Sequence, residues 1–516
     1  MINLSLSVTT ITFAVLWTNS KSRSIDLDEK YAVENGSIGF PIRLPNDGKY
    51  LQWTFLQLND VYELLPLDEG RRGGVARVAR LRQLLLAENP HTFTVLAGDF
   101  LSPSALSQSR VNGSALNGKQ MIAVFNTLGL DFVTFGNHEF DLTRSELLQR
   151  MNESKFFWIC SNLFQNGTNQ SFPSTIPYKI VKINEIKILL IGLVIDSNQP
   201  YVQIVNKTSL IPFVQQFLQS LSGQIKYDIL IAITHLELET DIQLAANIPQ
   251  IDLIFGGHEH ENMYVLRGSE YIPIAKADAN AFTVYIHRCA FNIDTKQLRV
   301  YPTLTKITPQ IEDEPQTAQV ANYWYDLGMK GFEALGFRPH QIVSCLPTNI
   351  VLDGRLDSVE NFPTLLTDYA CQSLLQTTSN DKTIVAMFNS GGIRVDDILK
   401  GIITQYDLLR VLPYLDKVFS LLVPGPFLAN VLTSTVALKG TGMYPVYCGI
   451  NTTDEGKTWF INGTDISRSN LNYSVAVQGY WKKTEMTDPT VLLLNEFNIT
   501  HVQALINFLH NMYPPC

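Results

Sequence analysis

Charge is scarce in this chain, and basic charge most of all. Lys and Arg number 39 against 48 Asp and Glu, and charged residues make up only 17% of the 516. The net charge of −9 excludes a general binder of nucleic acid or of anionic membrane, either of which needs a basic face. Cysteine is scarce too. The six, at 160, 289, 345, 371, 448 and 516, are too few for a disulfide-built mini-domain, and no CxxC pair offers a zinc ribbon. No apolar run after residue 17 is long enough to cross a bilayer, which takes about 20 residues. The 31 glycines show no three-residue period, which excludes a collagen-like rod, and there is no internal repeat or low-complexity segment.

What is present suits a folded, multidomain protein. Hydrophobic residues are 45% of the chain, too many for disorder, and the length allows two to four domains of about 100–200 residues each. Residues 4–17 (LSLSVTTITFAVLW) are apolar and give way to small and polar residues, so residues 1–24 read as an export signal rather than an anchor. Glycosylation sequons follow at Asn35, Asn112, Asn152, Asn166, Asn169, Asn206, Asn451, Asn462, Asn472 and Asn498, about twice the number that composition predicts. The C-terminus, NFLHNMYPPC, carries no hydrophobic tail for a lipid anchor. Together these features predict a secreted glycoprotein without a stable membrane anchor. In an oxidising compartment the even cysteine count permits up to three bridges, and three of the six lie between 345 and 448, favouring a staple in the C-terminal half.

From about 50 to 305, short apolar runs alternate with helical patterns, and the runs end in a recurring way. Thr54–Leu58 is followed by Asn59-Asp60, Thr92–Leu96 by Gly98-Asp99, and Asp131–Phe135 by Gly136-Asn137-His138. Ile229–Thr234 is followed by His235, and Leu253–Phe255 by Gly256-Gly257-His258-Glu259-His260. Metal-capable residues thus follow strand ends, which is where sites form in layered α/β folds. Residues 310–335 read as a connecting helix, and from about 340 a second α/β pattern begins, with a helix near Phe362–Gln376 and a strand at Thr383–Phe388.

Four of the nine histidines sit at these strand ends. The mixture of carboxylate, imidazole and amide suits two divalent cations, Zn²⁺ or alternatively Mn²⁺. Two such ions about 3.5–4 Å apart need a shared carboxylate to offset their repulsion. Asp99 is the candidate for that bridge, with Asp60 and His260 on one cation and Asn137, His235 and His258 on the other. His138 lies three residues before Asp141, a spacing that lets the carboxylate orient the imidazole for acid or electrostatic catalysis.

The ordered set Asn59-Asp60, Gly98-Asp99, Gly136-Asn137-His138-Glu139-Phe140-Asp141, Thr234-His235 and Gly257-His258-Glu259-His260, followed by Asn389-Ser-Gly-Gly-Ile-Arg394, resembles the 5'-nucleotidase family. That family includes ecto-5'-nucleotidases, periplasmic UDP-sugar hydrolases and secreted apyrases, and the resemblance runs from residue 50 to about 480. It implies an α/β fold: a four-layer α/β-sandwich metallophosphatase domain (50–308), a long connecting helix (309–338) and a C-terminal α/β nucleotide-binding domain (339–516). It further implies that Asn389 and Arg394 bind the nucleotide and that Tyr414 and Tyr480 sandwich the base.

The chain departs from the family pattern at three places. Tyr62 stands where the family has a histidine ligand; it is a weaker candidate ligand, and His260 can supply the missing imidazole. The family's ribose-holding Asp has no counterpart in Trp481-Lys-Lys-Thr-Glu-Met486. An expected Arg before Glu360-Asn361 is missing, with Arg355 the nearest substitute. The reading that follows is a phosphohydrolase acting on a small nucleotide, AMP to adenosine first. An apyrase or UDP-sugar phosphoesterase is the alternative within that chemistry, and a non-catalytic binding module the alternative outside it.

Overall fold

The computed structural model describes residues 44–197 and 199–516, so the expected export signal and Asn35 lie outside the described residues. The chain divides into two units: one built from the chain through Phe100 and from Met121–Ala321, the other from Leu101–Gln120 and Asn322–Cys516. Among the described residues no helix is long and apolar enough to cross a membrane.

The first unit is organised around two six-stranded sheets. In the first sheet, β1 (Tyr50–Leu58), β2 (Thr92–Ala97) and β3 (Phe132–Thr134) run parallel. In the second, β4 (Ile186–Val194), β5 (Ile229–His235), β6 (Leu253–Gly256) and β7 (Ile272–Lys276) do the same. Strand β8 (Thr283–Asn292) pairs antiparallel with β1 and returns the chain to the first sheet.

Period-2 alternation sets the layering. Trp53 and Phe55 of β1, and Val95 and Ala97 of β2, meet Ile188, Leu190, Ile231, Ile233 and Phe255 from the second sheet in one buried cluster. Intervening residues such as Leu189, Ile191, Leu230 and Ile254 face the other way, against Leu210, Val214 and Leu221 of α2 (Lys207–Leu221) and Leu244 of α3 (Leu238–Asn247). On the first sheet the outer cover includes α1 (Val75–Glu88), whose buried Val78, Leu81 and Leu85 recur at helical spacing. Burial on both faces explains why the parallel strands read as near-continuous apolar runs.

The boundary between the units falls inside α4 (Pro315–Ala334), after Ala321. At 20 residues this helix is about 30 Å long. Its first turn is anchored by Glu314, whose carboxylate accepts from the Thr317 backbone N–H at 2.7 Å.

The second unit has a five-stranded sheet with β9 (Val385–Asn389) and β11 (Asn472–Gln478) parallel in its centre and β10 (Lys417–Pro424) beside β11. One face buries Leu428 and Leu432 of the helix Gly425–Val436 together with Trp459. Disulfides join Cys371 to Cys448 and Cys345 to Cys516. Each removes entropy from the unfolded chain, worth on the order of 4 kcal/mol for loops of this length. Sequence counting permitted a third bridge, but Cys160 and Cys289 are free thiols buried in the first unit. Burial raises both, Cys160 to about 12, so neither is a ready nucleophile.

His501, at the start of the helix His501–Met512, is fully buried, with Nε2 3.0 Å from the Ala370 carbonyl. Burial lowers its pKa from 6.5 to about 4, so the folded state binds fewer protons than the unfolded state between those values. Its contribution to stability is therefore complete above about pH 6.5 and is lost as the pH falls toward 4. Urea unfolding of metal-free chain should show a loss of about 2 kcal/mol from this group between pH 7 and pH 5, and His501→Gln should flatten that slope. Identical slopes in the two chains would contradict this assignment.

Candidate metal centre

The carboxyl ends of strands from both sheets meet in the first unit. Asp60 follows β1, Asp99 follows β2, Asn137 and His138 follow β3, His235 ends β5, and His258 follows β6. Oxygen and nitrogen atoms of Asp60, Asp99 and His235 all lie within 4.8 Å of one another, and all three residues are buried. His235 Nε2 is 3.3 Å from Asp99 Oδ2 and 3.9 Å from Asp60 Oδ1, while His260 Nε2 is 3.5 Å from Asp60 Oδ1. The His258 ring lies edge-on to the His235 ring at 5.3 Å.

The backbone is strained to make this meeting. Asp60 and Asp99 each have φ of 53° and His258 has φ of 86°, a region costly for residues other than glycine. Hydrogen bonds hold them there. Asp60 Oδ2 accepts from the His258 N–H at 3.0 Å and from Asn59 Nδ2 at 2.9 Å. Asp99 Oδ1 accepts from the His138 N–H at 2.8 Å. Glu139, fully buried, accepts from the backbone N–H groups of Asp99 and Phe100 at 2.9 Å and of Gly136 at 2.6 Å. Gly136 is the point of closest approach, because a Cβ there would stand 2.0 Å from Asp99 Oδ1.

Electrostatics ask for a cation in this space. Asp60 Oδ1, His235 Nε2 and Asn137 Oδ1 are buried without a hydrogen-bond partner, and the first two stand in one cluster, as the ligand atoms of a cation site would. His235 Nδ1 lies 2.8 Å from the Ala97 carbonyl, which selects the tautomer with Nδ1 as donor and presents Nε2 as a ligand atom. Burial disfavours a charged His235, yet Asp99 and Asp60 outweigh it and raise its pKa to about 9. Burial likewise opposes ionisation of Asp99, but His235 and His138 hold its carboxyl well below the usual range. At His258, burial and the neighbouring His235 lower the pKa to about 4, leaving a neutral imidazole. The donor set of carboxylates, imidazoles and an amide oxygen fits divalent cations of the zinc or manganese kind.

At the rim, His138 Nδ1 is 3.0 Å from Asp141 Oδ2, the pairing that the three-residue spacing suggests. Tyr62 is buried inside the cluster: its hydroxyl donates to Asp99 Oδ2 at 3.1 Å and lies 3.4 Å from His260 Nε2. Sequence reasoning gave no part to Asn59, and gave Glu139 a part either behind the ligands or in the structure; its bonds to the Asp99 and Phe100 backbone fit the former. Asn280 also escaped it; its Oδ1 accepts from the Tyr62 N–H at 3.1 Å, and its own N–H donates to the Asp60 carbonyl at 2.8 Å.

The candidate nucleotide residues lie in the second unit. Asn389 ends β9, where its Oδ1 accepts from Gln478 Nε2 at 2.6 Å and its Nδ2 donates to the Gly442 carbonyl at 3.0 Å. The Arg394 backbone N–H donates to the Val411 carbonyl at 2.9 Å, and its side chain is half-buried, as is that of Tyr414. Tyr480 is 43% exposed, with its hydroxyl 3.7 Å from Met443 Sδ. Arg355 forks the carboxylate of Asp353, at 3.0 and 2.6 Å.

Residues 54–262 match the calcineurin-like phosphoesterase family, and residues 349–481 match the 5'-nucleotidase C-terminal domain; together they span well over half of the chain. The chain is similar to a snake venom 5'-nucleotidase from Gloydius brevicauda, at 24% identity over 79% of this chain and 74% of that one. It is similar also to the trifunctional nucleotide phosphoesterase protein YfkN of Bacillus subtilis, at 24% identity over 79% of this chain, and it spans only 29% of that protein's length. In fold it matches a 5'-nucleotidase precursor from Thermus thermophilus, with a TM-score of 0.74 and 18% identity over 90% of this chain and 97% of that one. Carrying a phosphoesterase domain whose strand ends converge on a metal-capable cluster, followed by the C-terminal domain characteristic of these enzymes, the chain belongs to the 5'-nucleotidase family of metallophosphoesterases.

Proposed function

We propose that this metallophosphoesterase is an exported enzyme that removes phosphate from nucleoside 5'-monophosphates, with AMP to adenosine as its leading reaction. The observation that carries the reading is the meeting of Asp60, Asp99 and His235 around buried donor atoms that have no hydrogen-bond partner. Asp60, Asp99 and His260 would hold one divalent cation; Asp99, Asn137, His235 and His258 would hold a second. When bound, the cations supply Lewis acidity toward the phosphoryl group and acidify the attacking water. Tyr62 serves as a hydrogen-bond donor that fixes one oxygen of Asp99, consistent with the 3.1 Å contact.

His138 supplies the proton. With Nδ1 engaged by Asp141, Nε2 is the ring nitrogen that stabilises and protonates the leaving 5'-oxygen. In the second unit Arg394 offers a planar fork to phosphate and Asn389 an amide to the sugar or base. Tyr414 and Tyr480 would stack on the base, a contact that tolerates several base identities. Arg355 would join them only by exchanging its present partner, Asp353. Export is supported by the two disulfides and by the surface: all nine sequon asparagines among the described residues are exposed.

A second reading, apyrase or UDP-sugar phosphoesterase activity, is favoured by one feature. Gly479–Thr484 forms a short helix where the family's ribose-holding Asp is expected to follow. Phosphate release from AMP, ADP, ATP, UDP-glucose and an aryl phosphate separates the readings. AMP should be hydrolysed fastest and a chelator should abolish turnover; activity on the aryl ester with none on AMP would overturn the proposal.

Asp99→Asn should lower kcat/KM on the order of a thousandfold, and His138→Ala by about 10²–10⁴ with metal content retained. Persistence of wild-type rates in both variants would remove the centre from catalysis. Tyr62→Phe should keep both cations, bound about tenfold more weakly. Loss of one whole equivalent of metal would instead make the phenol a ligand.

A further inference from the structure

Lys276 ends β7 with its side chain fully buried, a costly place for an ammonium unless every donor is met. Here the ammonium has a partner for each of its three N–H groups. Its Nζ donates to the Leu236 carbonyl at 2.6 Å and the Gly257 carbonyl at 2.9 Å. It lies 3.0 Å from Asp241 Oδ2 and in direct contact with Glu259 Oε2. Glu259 turns its other oxygen to the Leu238 backbone N–H at 2.5 Å.

The fold makes room for this lysine. Strands β5, β6 and β7 are neighbours in that order, so the side chain leaving β7 must pass the end of β6 to reach the segment after β5. The passage is open because residue 256 is glycine, where a Cβ would stand 2.8 Å from Lys276 Cε. The partners are placed with equal economy. Leu236 directly follows His235, Gly257 directly precedes His258, and Glu259 lies between His258 and His260. One ammonium thus ties together the two backbone segments that present three of the candidate ligands.

We propose that Lys276, braced by Glu259 and Asp241, is a positioning residue that fixes the spacing of the His235 and His258–His260 segments and thereby sets the affinity of the centre for divalent cations. This inference rests on the metal-centre reading above. Lys276 touches no candidate ligand side chain with its ammonium; it acts through the main chain on either side of them. An apolar side chain of the same length could fill the volume but would leave two carbonyls without a donor and two carboxylates facing each other, freeing the segments to separate.

The test measures binding of Zn²⁺ and of Mn²⁺ alone to full-length, metal-free chain by competition with a chromophoric chelator, alongside the thermal midpoint. Lys276→Met and Glu259→Gln are compared with wild type. The expected result is a 10–100-fold rise in Kd for both cations in both variants, about the range typical of groups that orient metal ligands. A merely structural role would lower the thermal midpoint and leave the Kd of the folded chain unchanged, and that result overturns the inference. Should Lys276→Met fail to fold, Glu259→Gln, which retains a hydrogen-bonding side chain of the same shape, decides on the same criterion. A wild-type chain that binds neither cation overturns the metal-centre reading together with this inference; wild-type binding with unchanged variants overturns this inference alone.

Discussion

The structure of the first unit turns on one buried carboxylate. Asp99 occupies a left-handed backbone position after β2, receives the His138 N–H and the Tyr62 hydroxyl, and faces His235 Nε2 across 3.3 Å. A negative charge so enclosed is tolerable only if positive charge stands close by. The surrounding groups are arranged for that condition: Glu139 holds the backbone on either side of Asp99, and Gly136 gives up its side chain so that the carboxylate can approach. The sandwich brings the two sheets together so that their strand ends deliver these groups to one place.

The two sheets divide the labour. The first supplies the anions, Asp60 and Asp99, on tight left-handed turns, and the second supplies the imidazoles of His235, His258 and His260. Imidazoles on one wall and carboxylates on the other form a mixed donor set of the kind that suits divalent cations. Buried Lys276 and Asp241, with half-buried Glu259, adjoin the backbone of the imidazole wall, where their charges meet one another and the carbonyls of Leu236 and Gly257.

Much of this was legible in the sequence because ligand and strand end share one local pattern. Asp60, Asp99, Asn137 and His258 stand two or three residues past the end of an apolar run and His235 closes one, so periodicity pointed to the strands and the polar residues just past them to the candidate site. The His138–Asp141 pair was legible from its three-residue spacing. Supporting groups were harder to read, because their meaning lies in distant partners. Glu139 serves Asp99, 40 residues away, and Asn59 binds Ala277 at a separation of 218. Lys276 looks like any strand-terminal lysine until the fold places Leu236 and Gly257 around it. The grouping of Leu101–Gln120 with the second unit has no local signature at all. The cysteines gave their count but not their pairing: enclosure in the first unit's core keeps Cys160 and Cys289 as thiols.

The central claim is that Asp99 is shared between two cations. Anomalous diffraction at the zinc edge, from crystals of the full chain grown with Zn²⁺, tests it most directly. Two anomalous peaks are expected, both touching Asp99, one also against Asp60 and His260 and the other against Asn137, His235 and His258. Peaks that avoid Asp99, or no peak within this cluster, would contradict it.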